Sequence, residues 1–221
     1  DQTLPDSSAY NISMTNRLVG ELRLDILQLA LTDIVRRHES LRTIFGFADG
    51  VPMQYIHEEI DMDFHVLELE GKLAEYPGEE IIRLVEVEAR KPFELAVGPL
   101  FRVRVFRASV TDCVLHICMH HIISDGWSLG IINRELSMIY NQHLCKAELT
   151  LPELSIQYAD YAMWQREWMA RDVLSKQANY WKEKLVGIPT LTSFPTDHVR
   201  SQIPKLSGAT LQDQLSSDLS N

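Results

Sequence analysis

The chain has 221 residues, of which 45% are hydrophobic and 24% are charged, and its formal net charge is -10. These values are typical of a soluble globular protein with one domain or one lobe of a larger domain. The negative charge excludes a sequence-independent grip on nucleic-acid phosphates. No apolar run is long enough to span a bilayer, and the polar residues 1–8 predict no signal peptide. Cys113, Cys118 and Cys145 lack disulfide or metal spacing, which predicts a reduced, cytoplasmic setting.

The first half of the chain alternates between strand-like and helix-like patterns. In chain order, periodicity predicts a strand over 10–18, an amphipathic helix over 24–37, a hairpin of strands 43–47 and 52–56, a helix over 78–89, and strands 101–106 and 113–122. Asp25 is a candidate cap for the first helix. Ala48, Asp49 and Gly50 form a typical hairpin turn. Because strand 113–122 is almost entirely apolar, we expect it to be central and covered on both faces.

Strand 101–106 alternates, so Phe101, Val103 and Val105 face one way, and Arg102 and Arg104 face the other.

The second half is predicted to be mainly helical. Helices are expected over 127–143 and 156–185, the latter with three aromatic residues along one face, Tyr161, Trp164 and Trp168. The stretch 189–208 holds three prolines and no period, which indicates a linker or long loop. A strand over 210–215 and a helix beginning at 216–221 would come next. The mixture of strands, hairpins and helices predicts an α/β lobe.

The residues best suited to chemistry are MHHIISDGWS at 119–128. Two histidines end a buried strand, and adjacent strand residues point to opposite faces, so only one of His120 and His121 can face a given cavity. The helix beginning after Gly126 offers unpaired backbone N–H groups. A histidine beside such donors suits acyl transfer, because the imidazole can handle a nucleophile's proton while the donors stabilise an oxyanion.

Other interpretations of these residues stay open at this point. A histidine on an apolar strand is more often a satisfied core residue than a catalyst. The local sequence favours Asp125 as a helix cap. His116, Cys118 and His120 share one strand face and form a conceivable zinc half-site, although no fourth ligand is evident nearby.

Several stretches together resemble one family in the order that the family has them. HHIISDG at 120–126 is similar to the HHxxxDG signature of condensation domains of nonribosomal peptide synthetases, which belong to the wider acyltransferases related to chloramphenicol acetyltransferase. Four more segments carry the resemblance: RHESLRTIF at 37–45, PFEL at 92–95, GPLFR at 98–102 and YADYAMWQ at 158–165. Tyr180, Trp181, Leu185 and 195–197 are similar to the next segment of the family.

The resemblance implies a chloramphenicol acetyltransferase-like α/β lobe with a mixed sheet flanked by helices. This lobe would be one half of a two-lobed, V-shaped domain whose active site lies along the cleft. Residues 1–185 would be the N-terminal lobe, and 186–221 a linker and the truncated start of the C-terminal lobe. The family's opening SxAQxRLWFL motif and its later motifs are absent from this sequence.

The resemblance also implies roles for individual residues. His121 would face the cleft as the catalytic residue, and Gly126 would let the backbone approach the reacting centre or a phosphopantetheine arm. His120 would turn into the lobe, and Arg42 would form a structural ion pair with Asp125. Structural roles are expected for two further pairs, Tyr161 and Trp164 in core packing and Phe93 and Leu95 as buried anchors.

The implied function is peptide-bond formation between carrier-protein-bound thioesters, with an L-configured donor suggested by Ser124 to Ser128. The chain itself would bind no metal or cofactor, since the phosphopantetheine arms belong to the carriers. Partners would be upstream and downstream carrier proteins, an adenylation domain and the missing C-terminal lobe, without which we expect no activity; neither nucleic acid nor membrane is expected. The alternatives are an epimerization domain, a stand-alone coenzyme A-dependent acyltransferase and a non-catalytic docking lobe.

Overall fold

A computed structural model describes residues 7–69, 78–170 and 172–189, together with Pro195 and Ser216. The chain divides into two compact units, Asp1–Leu174 and Ser175–Asn221. The predicted strand 210–215, the predicted helix start apart from Ser216, and most of the predicted loop 189–208 lie outside the described residues. Within the described part of the chain, no helix is both long and apolar enough to cross a membrane.

The elements largely follow the predicted order. They are β1 (Asn11–Val19), α1 (Leu24–Arg37), a 3-10 helix (Glu39–Arg42), β2 (Thr43–Ala48), β3 (Val51–Ile56), β4 (Asp63–Glu68), α2 (Glu79–Ala89), β5 (Phe101–Ser109), β6 (Asp112–His120), α3 (Gly126–Leu144), α4 (Tyr158–Ala170) and α5 (Val173–Lys184).

Four strands of the first unit form a mixed sheet in the order β1-β6-β5-β4. β6 runs antiparallel to both of its neighbours, and β4 runs parallel to β5. The apolar strand β6 is therefore an interior strand and is buried on both faces, as its composition predicted. Mixed strands flanked by helices confirm the predicted α/β class.

Alternation along β5 and β6 separates the two faces of this sheet. One face packs against α1 and α3 in a large apolar core, whose buried members include Leu31, Ile34, Val103, Val105, Leu115, Ile117, Ile132 and Leu136. The other face packs against α2 through a smaller cluster of Ile81, Phe106 and Val114. Each fully buried Leu or Ile stabilises the fold by about 1.5–3 kcal/mol, so the first face carries most of the apolar stabilisation.

The face towards α2 also buries two arginines. Arg102 and Arg104 both point to this side, as the alternation predicted, and both are buried. Arg104 donates to Asp63 at 2.8 Å and to Glu88 at 3.0 Å, so its charge is paired. The face of the sheet towards α2 is therefore a mixed layer that holds both the smaller apolar cluster and buried charges.

The β2–β3 hairpin forms a separate two-stranded sheet and confirms the predicted turn. Asp49 and Gly50 have φ angles of 51° and 76°. These left-handed conformations define a two-residue turn that matches the twist of the flanking strands, and Asp and Gly are the residue types that tolerate it.

Three features differ from the sequence predictions. Asp25 does not cap α1: Arg23 is the N-cap residue, and the Asp25 carboxylate accepts from the Arg23 guanidinium at 3.0 and 2.6 Å. The strand β4 was not predicted, although Phe64 and Val66 alternate with Asp63 and His65 along it. The predicted helix 156–185 is two helices, α4 and α5, with Asp172 in a turn between them.

The predicted row of aromatic side chains along α4 is present, but these side chains are exposed. Tyr161 and Trp164 lie 5.7 Å apart, and Trp164 stacks on Trp168 at 5.8 Å with an interplanar angle of 13°. Trp164 is 53% exposed and Tyr161 is also exposed, so the prediction that these two rings pack in a core is wrong for the described residues. Phe93 and Leu95 do pack against the main core and are half-buried.

Candidate active site

His120 is the last residue of β6, and its side chain lies in the layer towards α2. It is 6% exposed and lies between the rings of Tyr10 and Phe93, with centroid distances of 6.0 and 6.4 Å. Burial holds the pKa of the His120 imidazole below its ordinary value. The neutral ring accepts a hydrogen bond at Nδ1 from the backbone N–H of Ile122 at 3.1 Å, so His120 secures the turn that follows the strand.

His121 lies immediately beyond the strand and is exposed. Its backbone N–H donates to the Tyr10 carbonyl at 2.7 Å, which ties the residue to the chain just before β1. The side chain makes no hydrogen bond within the described residues. It borders a cavity of about 610 Å³, whose walls also include His38, Ser124, Asp125, Ser128, Glu135 and Tyr158. The His121 imidazole is therefore available to a ligand in this cavity.

Asp125 caps the N-terminus of α3. Its Oδ1 accepts from the Ser128 backbone N–H at 2.8 Å and from the Ser128 hydroxyl at 2.7 Å. These hydrogen bonds hold the pKa of the Asp125 carboxyl below its ordinary value, and the one from the Ser128 hydroxyl has the largest effect. The cap interpretation is confirmed.

The expected ion pair between Asp125 and Arg42 is wrong. The Arg42 guanidinium donates to the His57 carbonyl at 2.5 Å and lies 3.5 Å from the Glu39 carboxylate. Arg42 borders a different cavity, of about 560 Å³, between α1 and the segment 58–62. The physical reason is that Asp125 is exposed at the start of α3, where free backbone N–H groups satisfy it, so it needs no buried cation.

Gly126 is the first residue of α3, and its surroundings are open. A Cβ added there would have no heavy atom within 4 Å. The packing of the chain itself therefore does not demand glycine at this position. A free space beside the first turn of a helix leaves the backbone N–H groups accessible to a bound carbonyl group.

The wall of the cavity beside His121 contains a cluster of charged side chains that the sequence did not predict. Glu135 of α3 is 6% exposed, and its Oε2 lies 2.7 Å from His38 Nε2 and accepts from Arg37 Nε at 3.2 Å. At the sequence level, Arg37 and His38 stand only within the segment 37–45 that carries the family resemblance. Their partner lies 97 and 98 residues away along the chain, on another helix, so no local pattern could have indicated the pairing.

The residues considered as a zinc half-site have other roles. His116 bonds to the Thr15 hydroxyl at 2.9 Å, and burial lowers its pKa to about 4. Burial also raises the pKa of the Cys118 thiol. Within the described residues, no group of three or more His, Cys, Asp and Glu side chains is arranged to hold a metal ion. The His116 side chain is a neutral part of the layer behind the sheet.

The fold and site agree with comparisons to known proteins. The family model of the condensation domain matches residues 1–221. The chain is 41% identical over 219 residues to a linear gramicidin synthase of Brevibacillus parabrevis, covering 99% of this chain and 4% of that protein. It is 38% identical over 209 residues to surfactin synthase subunit 1 of Bacillus subtilis (strain 168), covering 94% and 5%. The chain therefore belongs to the condensation domain family of nonribosomal peptide synthetases.

Solved structures support the same fold. The X-domain from teicoplanin biosynthesis has a TM-score of 0.75 at 28% identity, over 88% of this chain and 43% of that chain. The epimerization domain from the third module of tyrocidine synthetase B has a TM-score of 0.72 at 23% identity, over 89% and 44%, which is a likeness of fold alone. The chain thus spans about 4% of the length of the first curated relatives and less than half of these solved chains.

Proposed function

We propose that this chain is the histidine-bearing part of a condensation domain that joins two carrier-bound thioesters through a peptide bond. The observation that carries the proposal is the placement of His121, which is exposed to a cavity of about 610 Å³ at the end of a buried strand and precedes the N-terminus of α3. Residues 1–185 would form the histidine-bearing lobe, and 186–221 would form the linker and the start of a second lobe.

In the proposed reaction, the amine of a downstream aminoacyl thioester attacks the carbonyl carbon of an upstream thioester. The new C–N bond forms as the C–S bond breaks, the nitrogen loses a proton, and the upstream phosphopantetheine thiol takes one up. Both arms are supplied by carrier proteins, so they act as substrate handles. The backbone N–H of Gly126, at the open first turn of α3, would bind the carbonyl oxygen as negative charge develops on it.

Magnitudes limit what His121 contributes. An α-amino group has a pKa near 7.7, so removing its proton in advance at about pH 7 is worth only ~1 kcal/mol. A larger contribution must come from holding the amine in line with the carbonyl or from moving the proton within the tetrahedral intermediate. We assign both of these roles to the exposed His121 imidazole.

The L-configured donor is a finer part of the proposal. It rests on the residues Ser124 to Ser128, which resemble the signature context of condensation domains that take such donors. The partners proposed with this function are two carrier proteins and an adjacent adenylation domain. The likeness to an epimerization domain concerns fold and does not favour that reaction.

The test is a product assay with the complete domain that contains this chain. Donor and acceptor carriers are loaded with L-amino acids, mixed with the domain, and the acceptor carrier is analysed by intact mass spectrometry. We expect a dipeptidyl thioester on the acceptor carrier. Inversion of the donor without transfer would support epimerization instead, and acylation of a free amine from acyl-coenzyme A alone would support a stand-alone acyltransferase; either result would contradict the proposal.

A further inference from the structure

The segment 91–93, directly after α2, is held from two strands at once. Asn11 on β1 donates through Nδ2 to the Lys91 carbonyl at 2.8 Å, and Arg102 on β5 donates through Nη2 to the same carbonyl and to the Pro92 carbonyl, the latter at 3.3 Å. In the sheet register, Asn11 lies opposite His120 and Arg102 lies opposite the residue two positions earlier on β6. The segment therefore crosses behind the end of the histidine strand.

This arrangement continues as a chain of contacts to His121. The Arg102 guanidinium carbon lies 3.8 Å from the centroid of the Phe93 ring, which is cation–π geometry. The same Phe93 ring meets His120 edge-on, with an interplanar angle of 89°. His120 in turn accepts the N–H of Ile122, the residue that follows His121. Each contact in the series is local, and together they lead from Arg102 to the turn carrying His121.

In the part of the chain that the structure describes, Arg102 is buried without a carboxylate partner. It is 5% exposed, it makes no ion pair within the described residues, and its Nε is buried without a hydrogen-bond partner. Burying a charge without an opposite charge costs free energy, which its hydrogen bonds to the Lys91 and Pro92 carbonyls offset. Arg104, two residues further along the same face, provides the contrast, because it is paired with Asp63 and Glu88.

We propose that Arg102 is a positioning residue for His121: it holds Phe93 against His120, and so fixes the backbone of the turn that presents His121 to the cavity. This inference rests on the proposed function. Small displacements are sufficient to matter, since a misplacement of about 1 Å by a change outside the reacting centre can cost up to 10²-fold in rate.

The test compares Arg102→Met with Arg104→Lys in the complete domain. For Arg102→Met we expect a melting temperature no more than about 2–4 °C below wild type, a kcat for dipeptidyl transfer at least ~10-fold lower, and a KM for the acceptor carrier within about 2-fold of wild type. Arg104→Lys, which disturbs a paired arginine on the same strand, should lower the melting temperature and leave kcat per folded molecule near wild type. Arg102→Lys should recover part of the rate, since it restores a donor without a planar guanidinium.

A second readout does not depend on transfer. With histidine labelled in ¹⁵N and the backbone amides assigned, wild type should have His120 as the Nε2–H tautomer, and the Ile122 amide should shift in Arg102→Met and in Phe93→Leu. A wild-type domain that forms no peptide bond would contradict the proposed function, while the Ile122 amide would still test the positioning. Unchanged kcat with an unchanged Ile122 amide, or failure of Arg102→Met to fold, would overturn the inference.

Discussion

His120 and His121 are neighbours in sequence, but the end of β6 gives them opposite surroundings. His120 points into the layer behind the sheet, loses contact with water and becomes a neutral hydrogen-bond acceptor for the turn. His121 lies past the last strand pairing, where its side chain faces the cavity. The alternation of strand residues explains why only one of two adjacent histidines can serve a substrate.

His116 leads to a prediction about the pH dependence of stability. Its pKa is about 4 in the folded chain against an ordinary 6.5, chiefly because of burial, with Glu88, Arg102 and Arg104 nearby. Between these values the unfolded chain binds a proton that the folded chain does not, so the free energy of unfolding should fall as pH drops from 6.5 to 4. The full contribution is present at neutral pH, and the loss from this group is on the order of 3 kcal/mol.

The measurement is urea unfolding of the complete domain between about pH 4 and pH 7, for wild type and His116→Gln. The variant should lose less stability across this window, because it has no imidazole to protonate. Residues with lowered carboxyl pKa values, such as Asp125, lose their contribution only below about pH 4. Equal slopes for the two proteins would mean that His116 is not held neutral by burial.

Asp125 and Arg42 should act independently. Asp125→Ala removes a helix cap, which is worth about 1 kcal/mol, and Arg42→Ala removes contacts to Glu39 and the His57 carbonyl. A double-mutant cycle in urea unfolding should therefore be additive within about 0.5 kcal/mol. A coupling energy well above this value would indicate that Asp125 and Arg42 interact, contrary to the structure.

At the scale of elements, Glu135 joins α3 to the end of α1. Removing its carboxylate would leave Arg37 and His38 without their partner in a largely buried place. Because breaking a buried pair on one side costs about 3–5 kcal/mol, Glu135→Ala should lower the free energy of unfolding by about 3 kcal/mol. Glu80→Ala is the matched control, since Glu80 pairs with Arg83 on the exposed side of α2. We expect that control to change stability far less than Glu135→Ala does in the same assay, because water screens an exposed ion pair.

The elements predicted correctly from the sequence are those whose structure is set by a local pattern of residues. The range 24–37 of α1 follows from its amphipathic period, the β2–β3 turn from Asp49 and Gly50, and the interior place of β6 from its apolar run. β4 was missed although Phe64 and Val66 alternate with Asp63 and His65, because no turn signal joins it to a neighbouring strand as Asp49 and Gly50 join β2 to β3.

The features of the site also divide into those set by local sequence and those set by long-range contacts. The exposure of His121 and the cap at Asp125 follow from strand alternation and helix ends, which are local rules. The pairing of Glu135 with His38, and the turning of Arg42 towards His57, depend on which helices and loops meet in space. Single-sequence patterns carry no information on such long-range choices, so these contacts required the structure.

At the scale of the whole molecule, the exposed rings of α4 suggest a covered surface in the complete domain. The chain spans 43 to 44% of the two solved chains compared above, so more than half of such a domain lies outside it. A helix face with stacked exposed aromatics favours burial against another apolar surface. We expect this face to be shielded when the remaining part of the domain is present.

The measurement is acrylamide quenching of Trp164 as the sole tryptophan, in the isolated chain and in the complete domain. Within this chain, phenylalanine replaces Trp127, Trp168 and Trp181. In the complete domain, every tryptophan outside this chain is replaced in the same way. Quenching should be markedly weaker in the complete domain, and the isolated chain should self-associate more. Equal quenching in both would show that the α4 face stays in solvent.

Single-turnover kinetics test most directly whether His121 carries the transfer reaction. The complete domain is mixed with loaded donor and acceptor carriers as wild type, His121→Ala and His57→Ala, the last being an exposed histidine outside the cavity. After circular dichroism has verified folding, His121→Ala should transfer at least ~10²-fold more slowly, the usual scale for a positioned acid or base, and His57→Ala should match wild type. A folded His121→Ala domain that transfers at a near-normal rate would contradict the catalytic role of His121.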